Sequence, residues 1–137
     1  MFKWKDSFSV NIEKIDEQHM ELFRLGSELY TLISAKDGVD RYDEIMDVVG
    51  ELANYTVEHF AYEEAMMKTN NYSDLVQHKL QHDAFVGKIK SIKAEEVDLT
   101  QRKTAMDLIV FIANWIEKHI LGTDMQYKEF LNEKGVF

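Results

Sequence analysis

The sequence predicts an all-α protein, an antiparallel up-down-up-down four-helix bundle with an irregular N-terminal arm and a short C-terminal helix. Three observations carry this. Proline is absent and only six of 137 residues are glycine, so little interrupts long helices. Four segments place apolar residues at steps of three and four. The connections between them are short, which favours antiparallel neighbours.

Residues 1–15 read as the arm, with apolar anchors at Phe2, Trp4, Phe8 and Val10; the aromatic ones are expected to cover one end of the bundle. Asp16 is placed to cap a first helix that runs to about Ala35, where Lys36-Asp37-Gly38 stops it. Its stripe is Ile15, His19, Leu22, Gly26, Leu29 and Ile33. A second helix runs from about Arg41 to Lys68 and ends at Asn70-Asn71, with the stripe Ile45, Val49, Leu52, Thr56, His59, Glu63 and Met66. Ser73 is placed to cap a third helix reaching about Lys93, with Leu75, His78, His82, Phe85, Ile89 and Ile92 on one face. A fourth starts near Thr100 and runs to about Leu121 through Ala105, Leu108, Ile112, Trp115 and His119. Gly122 marks a perturbation, and a short last helix follows to about Asn132.

Composition removes several classes of function. The formal net charge is −9 with no basic cluster, so nucleic acid and anionic membrane surfaces are poor partners. Cysteine is absent, which excludes disulfides, thiolate nucleophiles and cysteine-based zinc or iron–sulfur sites. The longest apolar stretch, around Leu108–Ile116, contains Asn114 and is too short for a bilayer. The first residues hold no apolar run of signal-peptide length. The expectation is one domain over residues 1–137, cytoplasmic and monomeric, with no apolar face left over for self-association.

All five histidines lie on apolar stripes, joined there by Glu63 and Asp124. A single buried histidine is usually a hydrogen-bonded core residue, but seven concordant polar positions call for another account. Buried titratable groups are costly unless paired or metal-bound. Depth agrees with face. His19 is early in the first helix, His59 and Glu63 late in the second, His78 and His82 early in the third, and His119 late in the fourth, so all meet at one end of an antiparallel bundle. His78 and His82 are one turn apart, as are His59 and Glu63. His119 and Asp124 are five apart and share a face only across a one-residue bulge, which predicts a π-turn at about Leu121–Thr123. Five imidazoles and two carboxylates exceed one octahedral ion. Two ions sharing both carboxylates and an oxygen leave one position open. Such donors suit iron, copper or zinc rather than magnesium or calcium. Glu64 reads as a solvated charge, Asp83 as a candidate to orient an imidazole, and Met66 and Met67 as packing.

Four motifs, Ile15-Asp16-Glu17-Gln18-His19, His59-Phe60-Ala61-Tyr62-Glu63-Glu64, His78-Lys79-Leu80-Gln81-His82 and His119-Ile120-Leu121-Gly122-Thr123-Asp124, resemble those of the hemerythrins, particularly the bacterial members. The resemblance covers nearly the whole chain, including the arm with Trp4. It departs at Asn71-Tyr72-Ser73, where the family often has Gly-Tyr-Pro; this alters a turn and touches no ligand position. The resemblance implies two non-haem iron ions, oxo- or hydroxo-bridged. His78, His82 and His119 would serve the coordinatively full iron, His19 and His59 the open one, and Glu63 and Asp124 both. It implies reversible O2 binding without enzymatic turnover, beside an apolar pocket formed by Leu22, Phe23, Phe60, Trp115 and Ile116. Tyr127, one turn past Asp124, would hydrogen-bond a carboxylate. Storage, sensing, or delivery to an oxygen-consuming enzyme would be its use. The competing readings are a di-iron oxidase or peroxidase-like enzyme, including one turning over nitric oxide or peroxide, and a metal-binding protein without O2 chemistry. Carboxylate-rich oxidase bundles use Glu-x-x-His pairs, and none occurs among these ligand candidates.

Overall fold

The computed structural model describes residues 1–94 and 102–137; the expected helix start near Thr100 and the side chain of Ile92 lie outside the described residues. A short 3-10 turn at Asp6–Phe8 precedes α1 (Glu13–Ser34), α2 (Tyr42–Thr69), α3 (Leu75–Ala94) and α4 (Arg102–His119). A π-helical segment, Ile120–Asp124, leads into α5 (Met125–Glu133). No strand occurs among the described residues. The four long helices form a bundle in which α1 packs on α2 and α4, and α2 on α3. No helix among the described residues is long and apolar enough to cross a membrane.

The stripes are what the bundle buries. α1 buries Ile15, His19, Leu22, Gly26, Leu29 and Ile33, and α2 buries Ile45, Val49, Leu52, Thr56, His59 and Glu63. Each large apolar side chain removed from water contributes about 1.5–3 kcal/mol. The apolar residues form two clusters. The larger includes Leu22, Leu29, Leu52, Phe60, Phe85 and Ile112. The smaller comprises Val10, Ile12, Ile15, Met67, Tyr127 and Leu131. Along α1 the boundary falls at His19, and along α2 at Glu63, so a polar layer separates the two. At the end of α2 the fully buried methionine is Met67, with Met66 only partly buried.

Helix ends account for two departures from expectation. α1 begins before Asp16, with extended Ile12 at its cap, because the Ile12 side chain is drawn into the smaller cluster. Asp16 instead sits inside the first turn and accepts hydrogen bonds from the Ser9 hydroxyl (2.5 Å) and the Val10 N–H (2.9 Å), tying the arm to the helix. α2 ends in a Schellman motif: Asn71 takes the left-handed conformation (φ 58°), Tyr72 N–H donates to Met67 O (2.9 Å), and Asn71 N–H to Lys68 O (3.2 Å). That motif occupies the residues up to Tyr72 and moves the next helix start past Ser73. His78 N–H donates to Asp74 O (3.0 Å), so Asp74 holds the capping position of α3.

The arm takes a different path from the one expected. Val10 and Ile12 cover the end of the bundle, whereas Phe2, Trp4 and Phe8 run along the flank of α1. Phe8 meets Phe23 edge-on at 5.2 Å, and Trp4 lies 5.9 Å from the same ring. Phe2 lies directly over Gly26, and a Cβ there would overlap its ring.

Candidate metal centre

Seven side chains meet in the polar layer. His19 comes from α1, His59 and Glu63 from α2, His78 and His82 from α3, His119 from the end of α4, and Asp124 from the end of the π segment. All seven are at most 5% exposed. The π segment brings in the last of them. On a regular α-helix, five residues rotate the face by roughly 140°. Here the Met125 N–H bonds back to Ile120 O, one residue further than in an α-helix, and Asp124 Oδ1 comes within 3.0 Å of His119 Nε2.

Their ligand atoms fall into two groups, each within 4.8 Å: His78, His82, His119 and Asp124 in one, and His19, His59 and Glu63 in the other. The carboxylates lie between the groups. Asp124 Oδ1 is 2.9 Å from His78 Nε2, while Oδ2 is 3.2 Å from His19 Nε2. Glu63 Oε1 is 2.5 Å from His59 Nε2, while Oε2 is 3.8 Å from His78 Nε2.

Electrostatics shows what this cluster needs. Burial lowers the pKa of His19, but Asp124 and Glu63 outweigh it and the net shift is upward. Burial would raise Asp124, yet the surrounding His119, His19 and His78 hold it well below the usual carboxylate range. Burial and the neighbouring imidazoles of His119 and His78 push His82 down to about 2, so it is neutral.

Several imidazoles are anchored from behind. His82 Nδ1 donates to Glu64 Oε2 (2.8 Å), His119 Nδ1 to Gln81 Oε1 (3.0 Å), and His59 Nδ1 to Gln18 Oε1 (2.7 Å). Gln81 Oε1 also accepts the Thr123 hydroxyl (2.8 Å), consistent with its being the carbonyl oxygen. With its Nδ1 donating outward, neutral His82 turns a bare lone pair toward His119 Nε2 at 3.0 Å. Seven more buried atoms of this cluster have no hydrogen-bond partner among the described residues: both ring nitrogens of His19 and of His78, Glu63 Oε1, and both oxygens of Asp124. Each such atom costs about 1–3 kcal/mol. Lone pairs converging in a buried space suit a cation, and imidazole with carboxylate suits iron, copper or zinc.

Tyr127 stands behind Glu63. It is fully buried, and its hydroxyl donates to Glu63 Oε2 (2.8 Å). Burial and the Glu63 and Asp124 carboxylates hold its pKa well above the usual phenol value, so it remains a donor. Asp83 does not orient an imidazole; it pairs with exposed Lys79 at 3.1 Å. That role belongs to Glu64, which by sequence alone reads as a solvated charge, and to Gln18 and Gln81, which lie off the apolar stripes. Each adjoins a stripe residue in the chain, as Gln18-His19, Glu63-Glu64 and Gln81-His82. That adjacency was the only signal available.

Beside the centre lies a cavity of about 10 Å³, room for roughly one water-sized molecule. Leu22, Phe60, Trp115 and Ile116 line it. Phe23 does not, since it turns toward the arm and packs on Trp4 and Phe8. Thr56, Phe85 and Ile120 complete the wall. Thr56 and Phe85 are stripe residues one turn from His59 and His82, so the same periodicity pointed to them. Trp115 stacks on His119 (4.5 Å between centroids), and Phe60 lies flat on His82 (3.7 Å).

Known proteins share this arrangement of the chain. Residues 10–131 match the family model for the hemerythrin HHE cation binding domain. A bacteriohemerythrin of Clostridium acetobutylicum is 40% identical over 127 residues, 93% of this chain and 98% of the relative. A myohemerythrin of Riftia pachyptila is 35% identical over 93% of this chain and 91% of its own. Among solved structures, a wild-type hemerythrin superposes with a TM-score of 0.78 at 25% identity, covering 94% of this chain and 96% of that one. The chain therefore belongs to the hemerythrin family.

Proposed function

We propose that this chain binds O2 reversibly at a non-haem di-iron centre and is not itself an enzyme. The observation that carries this reading is the partition of the buried donors into three imidazoles and two, with carboxylates facing both groups. His78, His82 and His119 would hold one iron, His19 and His59 the other, and Glu63 and Asp124 would join them. Two ferrous ions bound there would supply the pair of electrons that reversible O2 binding draws on and recovers. The small cavity adjoins the centre, its lining including His19 and His59 of one group and His119 and Asp124 of the other. Leu22, Phe60, Trp115 and Ile116 keep water from that space, which would otherwise carry protons in and strand oxidised iron. Tyr127 holds Glu63 in place from behind. The names bacteriohemerythrin and myohemerythrin among its relatives support the same reading. Residues 1–137 would act as one domain, storing O2 or delivering it to an oxygen-consuming enzyme.

Anaerobic reduction of the iron-loaded protein, followed by admission of O2, tests this. A visible band that rises with O2 and falls on its removal is expected. Irreversible conversion to a ferric spectrum with release of hydrogen peroxide would replace carriage with oxidase chemistry. Failure to bind two irons per chain would remove the reading altogether.

A further inference from the structure

Three imidazoles of the centre are anchored through Nδ1, and the anchors form a series. Gln18 of α1 holds His59 of α2, Glu64 of α2 holds His82 of α3, and Gln81 of α3 holds His119 of α4. Each bond crosses from one helix to the next around the bundle. Two anchors are neutral amides, and the third is a carboxylate. His82 does not need that charge to be held in place, because Phe60 lies flat against its ring (3.7 Å, interplanar 1°) and an amide would accept the same hydrogen bond.

We propose that Glu64 is a positioning residue whose charge, transmitted through His82, makes the three-imidazole half of the centre the better seat for ferric iron. This rests on the di-iron reading above. A carboxylate behind an imidazole raises the electron density at the opposite nitrogen, which favours the more highly charged metal ion. His82 is almost fully buried, so the charge acts there with little screening, whereas Glu64 itself is 21% exposed. The outer face of the pair opens on a groove of about 400 Å³ lined by residues of α2 and α3. There Lys79 lies 3.7 Å from Glu64 Oε1 and 3.1 Å from Asp83 Oδ2. Lys79 therefore offsets the Glu64 charge from the solvent side. A surface ammonium thus tunes a buried site that it does not touch.

Iron analysis and spectroelectrochemical titration of iron-loaded variants test this. Glu64→Gln keeps the hydrogen bond and removes the charge. It should retain two irons per chain and weaken ferric relative to ferrous binding about tenfold, an upward shift of about 59 mV for one electron. Lys79→Met, at an exposed position, should shift the potential downward, and added salt should shrink the difference. Unchanged potentials in both variants would overturn the proposal while leaving O2 binding by the parent chain intact. Equal loss of iron from Glu64→Gln and Glu64→Ala would also overturn it, since the amide would then fail even as an anchor. A parent chain that binds no iron would overturn this inference together with the di-iron reading.

Discussion

Leu22→Ala separates the role of the cavity from the stability of the bundle. Leu22 is 3% exposed and lines the small space beside His19 and His59. The substitution removes three carbons, about 2.4 kcal/mol of transfer at ~0.8 kcal/mol per group. The space left behind adds about 24 cal/mol per Å³, and buried Leu→Ala changes cost roughly 2–5 kcal/mol in total. At about 3–4 °C per kcal/mol, the melting temperature should fall by roughly 10 °C. The functional effect is separate. A cavity with room for one small molecule becomes one that admits several waters, and autoxidation of the O2-loaded protein should accelerate. Leu29→Ala is the matched control, because Leu29 is fully buried two turns along the same helix and away from the cavity. Its melting temperature should fall by a similar amount while autoxidation stays at the parent rate. Equal acceleration in the two variants would refute the reasoning, because general loosening of the bundle would then explain both.

Two further perturbations are specific to this chain. Gly26→Ala gains about 1 kcal/mol of helix propensity but places a methyl in the Phe2 ring. Undocking Phe2 re-exposes a side chain worth about 2 kcal/mol, so limited proteolysis should cut the arm faster and the melting temperature should drop slightly; a rise would show that the arm contributes nothing. Tyr127→Phe leaves the buried Glu63 Oε2 without its donor and should cost the metal-free protein about 1–3 kcal/mol, read by denaturant titration. The same hydroxyl gives a pH prediction. The folded pKa of Tyr127 is raised above its unfolded value by burial and by Glu63 and Asp124, so its stabilisation is present below about pH 10 and is lost as pH climbs toward the folded value. Phenolate absorbance should show Tyr127 ionising only with unfolding, and its ionisation near pH 10 in the folded chain would contradict the buried hydrogen bond.

Some features were legible in the sequence because a helix repeats and a bundle has depth. His19, His59, Glu63, His78, His82 and His119 each combine a face with a height, and both follow from counting residues. Asp124 was legible only as an exception, since five residues from His119 is wrong for an α-helix and right for the π segment that forms. Gln18, Glu64 and Gln81 sit on the shoulders of their helices, where a polar residue is equally at home in water, so periodicity could not single them out. Phe23 was misplaced because adjacent residues lie about 100° apart on a helix. Leu22 reaches the cavity and Phe23 the arm. The path of the arm itself had no period to read.

The polar layer also decides how the fold responds to losing its ions. Beyond that layer a small buried cluster, Val10, Ile12, Ile15, Met67, Tyr127 and Leu131, holds the end of the bundle together, with Phe130 of α5 packed against it. Without a cation, the layer retains converging lone pairs and buried atoms that lack partners. Ligand binding to the folded state alone contributes about 4.1 kcal/mol at a thousandfold excess over the dissociation constant. Chelation should therefore lower the melting temperature by roughly 12–16 °C at about 3–4 °C per kcal/mol. The loss should also be local. Amides at 13–19 and 124–133 depend on contacts across the layer, so their hydrogen exchange should accelerate most. Amides at 45–52 and 108–112 lie in the larger cluster and should change less. A uniform loss of protection along the chain would mean that the two clusters fold as one unit, and that the buried charges are tolerated without metal.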